Sequence, residues 1–246
     1  MSKFTEVKYD NGLIEIEDYN YRVHYKNIFC PECEVAPMHI VEKQNVKPYF
    51  ASNSNESHDF DCQYRESKIE NNTLTSLINS EIIEDKNRLN FLIKSNLKSA
   101  IQLLLKKLNA SAQNIIQKNI TEKIDKNNPN LKNYKRESIR RIHIKNLLKE
   151  SGNIESSIII YGQSFLDIKL HDKEVAETKE KYQVKQLLFK DEKKFVFSIF
   201  LSINQSKYDE SVAGNIKFAV FGEMIRNGTY LNFKISTTKN MIIISE

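Results

Sequence analysis

No run in this chain approaches the roughly 18 uninterrupted apolar residues of a membrane-spanning helix. The first residues, Met1-Ser2-Lys3-Phe4-Thr5-Glu6, lack an apolar signal core, which argues against secretion. Glycine is scarce, six in 246 residues, and none builds a Walker loop, a GxGxxG turn or a GxSxG elbow. Cysteine is scarcer. An odd count of three, two of them in CxxC spacing, speaks against a disulfide scaffold and for a reducing compartment. Charge of one sign is also missing in bulk: a net +5 permits contact with nucleic acid or an acidic partner without requiring it. The expectation is a cytoplasmic protein without a membrane anchor. Its 40% hydrophobic and 28% charged residues can build one large domain or two modest ones.

What is present is concentrated. All three cysteines fall within 33 residues: Cys30 and Cys33 in Phe29-Cys30-Pro31-Glu32-Cys33, and Cys62 in His58-Asp59-Phe60-Asp61-Cys62. With His58 they make two ligand pairs, Cys-x2-Cys and His-x3-Cys. Zinc takes thiolate and imidazole in a closed tetrahedron where its role is structural. Pro31 helps hold the tight turn of the first pair, and one helical turn or loop brings His58 and Cys62 to one side. The 24 residues between the pairs hold a hairpin, with strands expected over 35–41 and 47–51, and a polar loop at 53–57. Four protein ligands leave no position for water, so the expected cofactor is a structural Zn2+ in a zinc-finger-like module. His24 and His39 are alternative ligands; His39 lies in an apolar run and reads better as a packed or surface residue.

The order Cys-Pro-x-Cys, Pro-Tyr-Phe-Ala, His-x3-Cys resembles the N-terminal zinc module of the competence-associated CoiA-like family of bacterial proteins. The resemblance covers about residues 28–64. Where that family has a His-Phe-Ala-His type segment, this chain has Tyr49-Phe50-Ala51-Ser52. By analogy alone, the resemblance implies business with nucleic acid.

Residues 73–108 carry apolar positions at helical spacing, from Leu74 and Leu77 to Leu104 and Leu108, with a break expected near Glu84 to Asn87. Leu131 to Lys149 is basic. Lys135, Arg136, Arg140, Arg141 and Lys145 are the candidate phosphate contacts, since such clusters release counterions on binding. The plain alternative is a solvated face. Arg140 to Lys145 reads equally as helix or as a strand-like linker.

From about Ser156 the apolar period becomes two. Strands are expected at 157–162, 186–189, 194–203, 216–222, 230–235 and 241–244, with a polar insert at 172–182 and a hairpin turn at Asn227-Gly228. Tyr161-Gly162 and Phe221-Gly222 end two of them, where glycine lets a barrel strand bend. This order of elements resembles an OB-fold; a sandwich or an SH3-like barrel reads similarly. OB-folds stack single-stranded bases on exposed aromatics, so Tyr161, Phe221 and Tyr230 are candidate stacking residues, with core or rim packing as the alternative.

The expected fold class is therefore α+β: a zinc-binding domain at 1–70, a helical region with a basic segment at 71–152, and an OB-like antiparallel β-barrel at 153–246. The expected function is non-enzymatic binding of single-stranded DNA or RNA. A protein-interaction adaptor with a protein partner is the second reading. A Mg2+-dependent nuclease is the third, using Asp167 with Glu177-Thr178-Lys179 or Glu192-Lys193-Lys194.

Overall fold

The computed structural model describes residues 3–109, 137–150, 157–174, 179, 181–192, 194–201, 212–227 and 230–245. These residues make a mixed α+β chain, mostly strands. The chain divides into two units, Met1–Lys68 with Arg136–Ser138, and Ile69–Lys135 with Ile139–Glu246.

The first unit is built from short hairpins. β1 (Glu6–Tyr9) pairs antiparallel with β2 (Gly12–Glu15) and with β3 (Ile28–Phe29). The sequence reading missed this sheet. Its first turn places Asp10 at φ 47°, a left-handed conformation that a short polar side chain tolerates. Between β2 and β3 lies a single helical turn, α1 (Tyr21–His24), where Arg22 N–H donates to the Asn20 side chain at 2.9 Å. β4 (Met38–Lys43) and β5 (Val46–Ser52) form the expected second hairpin, with Asn45 left-handed at its turn. Phe4 exchanges two backbone hydrogen bonds with Phe50, and the two rings are buried together with Val7 and Ile28.

The second unit layers two helices on a seven-stranded sheet. α2 (Asn71–Asn79) and α3 (Ile83–Asn109) divide the periodic stretch, and the break falls at 80–82, ahead of the expected Glu84 to Asn87, which is helical. Ser80 Oγ donates to Asp85 and accepts from Ile82 N–H, so one hydroxyl serves the start of α3. β6 (Arg141–His143) leads to the short α4 (Leu147–Glu150). Then come β7 (Ile158–Glu174), β8 (Lys181–Asp191), β9 (Lys194–Leu201), β10 (Gly214–Asn227), β11 (Tyr230–Lys234) and β12 (Met241–Ser245). The strand order is β12-β10-β11-β9-β8-β7-β6, and β10 also pairs with β7. The pairings β7–β8–β9–β11–β10–β7 therefore return to their starting strand.

Two features depart from expectation. The sheet is not wholly antiparallel: β6–β7 and β9–β11 are parallel. β11 leaves β10 by a hairpin and so lies beside β9 running the same way. Nor do strands end at Gly162 and Gly222. β7 runs through Gly162 at φ +153°, and β10 runs through Gly222, the last residue paired with β7 and the one before its pairing with β11 begins. A Cβ at Gly162 would sit 2.6 Å from Ile144 Cγ2, and one at Gly222 would run into the Lys234 carbonyl. Glycine there permits close approach as well as bending.

Alternation along these strands feeds two cores. Ile158, Ile160, Leu187, Phe189, Phe197, Ile216, Phe218, Val220 and Phe233 fill one face. Ile159, Tyr161, Ala219 and Phe221, the alternate residues, pack under Leu92, Leu97 and Ile101 of α3. Asn96 joins helix to chain, donating to Leu92 O and accepting from Ile139 N–H at 3.1 Å.

Candidate metal centre

Cys30 follows β3 directly and enters a tight turn. Its N–H donates to Ala36 O, and its carbonyl accepts from Glu34 N–H, both at 2.9 Å. Glu34 takes a left-handed φ of 59°, and the chain then returns so that Ala36 O meets Cys30 N–H. The second pair arises from an unbroken series of turns. A 3-10 turn at Asn55–Ser57 delivers His58; Asp61 N–H bonds the Asp59 carboxylate; Cys62 N–H bonds Asp59 O. Arg65 donates to the His58 carbonyl at 2.8 Å and holds that turn.

The four side chains converge. Cys30, Cys33, His58 and Cys62 are all buried, with their ligand atoms within 4.8 Å of one another. Cys30 Sγ to Cys62 Sγ is 3.9 Å, Cys33 Sγ to His58 Nδ1 is 3.7 Å, and Cys62 Sγ to His58 Nδ1 is 3.5 Å. Four buried Cys and His residues are thus close enough to hold a metal ion, and they are the residues that the spacing picked out. Among the described residues they form the one such cluster of three or more Cys, His, Asp and Glu side chains. His24 is occupied elsewhere: its Nδ1 accepts from Asn20 N–H and its ring packs on Tyr9 and Tyr19. His39 is exposed on β4.

Backbone amides serve the sulfurs, with Cys33 N–H on Cys30 and Asp59 N–H on Cys33. Three thiols this close cannot all ionise alone. Cys33 is pushed far down by hydrogen bonds from the Cys30 and Cys62 thiols. Cys30 is pushed up to about 12 by its bond with Cys33, and Cys62 is pushed up by its bonds with Cys30 and Cys33. A bound cation reverses this, since a coordinated thiol is deprotonated. His58 Nε2 is buried, without a hydrogen-bond partner among the described residues, behind the rings of Phe4 and Tyr64. The buried Glu32 carboxylate accepts Gln63 N–H at 2.7 Å and stands 3.0 Å from Cys62 Sγ.

The other expected site residues scatter. Lys135 and Arg136 lie outside the described residues. Arg140 is half-buried, Lys145 is exposed, and Arg141 is buried in β6. Arg141 sits opposite Ile159 on the helix-covered side of the sheet. Tyr161 and Phe221 are likewise buried beneath α3, at 6% and 4% exposure, so their faces are spent on packing. Tyr230 is 63% exposed, with its ring edge near Phe195. Asp167 is ion-paired to Lys190 at 3.0 Å, which holds its carboxyl below the usual range. Glu177, Thr178 and Lys193 lie outside the described residues. Sequence reasoning also missed Phe165 and Phe200, aromatics that stand exposed on the sheet. Strand alternation is the one signal available for Phe200, and Phe165 lies beyond the expected strand at 157–162.

No helix among the described residues is long and apolar enough to cross a membrane. No protein-family model matches the chain, and no curated protein and no solved structure is significantly similar to it.

Proposed function

We propose that this is a zinc-containing protein that binds single-stranded nucleic acid without catalysing a reaction on it. Zinc is the ion that suits the donor set. A tetrahedron with Zn–S of about 2.3 Å and Zn–N of about 2.0–2.1 Å needs about 3.8 Å between sulfurs and about 3.6 Å from sulfur to nitrogen. The separations of 3.9, 3.7 and 3.5 Å fit that figure. Cys30, Cys33, Cys62 and His58 Nδ1 would be the ligands. Burial of all four speaks for a structural ion, whose binding free energy becomes folding free energy for the surrounding turns.

The binding function rests on one observation, the circuit of five strands. A β7–β8–β9 meander whose third strand meets the fifth in parallel, while the fourth returns to the first, is the connectivity of an OB-like Greek-key barrel. Such barrels present a sheet face on which bases stack beside a basic groove. The CoiA-like resemblance of the cysteine module leans the same way. Anisotropy of a labelled 15-mer at low salt tests this reading. Binding to single strands that weakens as salt rises is the expected result. No binding at low salt leaves the adaptor reading, and cleavage in Mg2+ or Mn2+ restores the nuclease.

A further inference from the structure

The outer face of β7, β8 and β9 carries an aromatic and lysine pattern that folding alone does not use. Leu166, Leu187, Phe189, Phe197 and Ile199 point into the core, so their alternates share the opposite face. On that face Phe165 pairs in register with Lys190, and Lys169 with Gln186, which in turn faces Phe200. Phe165 is 47% exposed and Phe200 is 43% exposed, although both occupy paired positions inside strands. Each ring has an ammonium over it: Lys190 lies 5.8 Å from the Phe165 centroid and Lys173 lies 5.9 Å from that of Phe200. His171 stands beside Phe200, its Nε2 tied to Gln186 at 2.7 Å.

Acids on this hairpin lie mostly on the opposite face, which also carries Lys181 and Lys185. Asp172 and Glu174 alternate away from Lys169, His171 and Lys173. Gln183 donates to Asp172, and Lys179 is ion-paired with Glu174. Among the described residues of β7–β9, the aromatic side keeps one acid, Asp167, which is ion-paired with Lys190. An exposed apolar surface bordered by lysines suits a ligand that is flat and apolar in its bases and anionic along its backbone.

We infer that the outer face of β7–β8–β9 is a stacking platform for single-stranded nucleic acid, with Phe200 and Phe165 receiving bases and Lys169 and Lys173 contacting phosphates. This rests on the single-strand reading and relocates its contacts from the buried Tyr161, Phe221 and Arg141. Phe165 and Phe200 lie about four residues apart in register, about 13 Å along the strands. A strand therefore crosses the sheet with its bases on both rings.

Anisotropy titrations of the full chain with labelled oligo-dT and oligo-rU test this, using Phe200→Leu, Phe165→Leu and the double variant Lys169→Ala/Lys173→Ala. Leucine keeps apolar packing and removes the stacking face, and unchanged circular dichroism confirms the fold. Each aromatic variant is expected to weaken binding by roughly 5- to 150-fold. The lysine pair is expected to lower the slope of log K against log salt by about 1.4. The tighter of the two oligonucleotides identifies DNA or RNA as the ligand. Wild-type binding that all three variants retain overturns the platform while leaving single-strand binding intact. Failure of the wild type to bind either oligonucleotide at low salt overturns both.

Discussion

Cys33 is the residue whose loss separates a metal centre from a cluster of packed thiols. Its sulfur lies 3.7 Å from His58 Nδ1 and accepts the Asp59 amide. Serine keeps the size and loses the soft donor that zinc prefers. Cys33→Ser should abolish metal retention and loosen residues 28–62, measured as faster amide exchange there; unchanged exchange would mark the cluster as packing. The four ligands were legible because coordination demands particular residue types at short chain spacing, and the sequence displays both. Arg141, Tyr161 and Phe221 were not, because alternation tells which residues share a face but not which face a helix will cover. His143 makes a pH prediction. Burial, then Lys107 and Lys145, hold its imidazole down to about 4. The unfolded chain binds the proton at pH 6.5 and below, so stability is complete above that value. It is lost as pH falls from about 6.5 to about 4, by up to about 3 kcal/mol. Denaturant midpoints followed at β7 should show this slope, and His143→Gln should flatten it.

Elements in this chain are punctuated by single residues. Ser80 ends the α2 pattern and starts α3, and at Gly222 the β7 pairing of β10 ends and its β11 pairing begins. A methyl group at Gly222 meets the Lys234 backbone, which cannot swing aside as a side chain would. Gly222→Ala should therefore destabilise the sheet by about 1–3 kcal/mol in urea unfolding; a loss under about 0.5 kcal/mol would show that β10 can shift. Helix and strand positions from Leu74 onward were readable because buried faces impose periods of 3.6 and 2 on the sequence. The β1–β2 hairpin was not, since Glu6-Val7-Lys8-Tyr9 buries one side chain, Val7, too little to make a period. β6 was ambiguous for a similar reason: three residues, Arg141-Ile142-His143, find their strand only by pairing with β7.

At the scale of the whole molecule, the candidate metal centre and the proposed nucleic-acid face fall to different units. Cys30, Cys33, His58 and Cys62 belong to the first, and the strand circuit with its aromatic face belongs to the second. The tasks are therefore expected to separate under mutation: Phe200→Leu should leave metal content unchanged. The strand order could not be read from the sequence, because pairing β9 with β11 across an intervening strand leaves no local signal. The net charge of +5 sets only the long-range attraction, so single-strand affinity should fall with salt in proportion to the few phosphates engaged. Cys30, Cys33, His58 and Cys62 are proposed to close on one zinc. Metal analysis of the purified chain by native mass spectrometry tests this most directly. One zinc per chain, released as pH falls and absent from Cys33→Ser, is the predicted result; a folded chain that carries no metal and takes up none would contradict it.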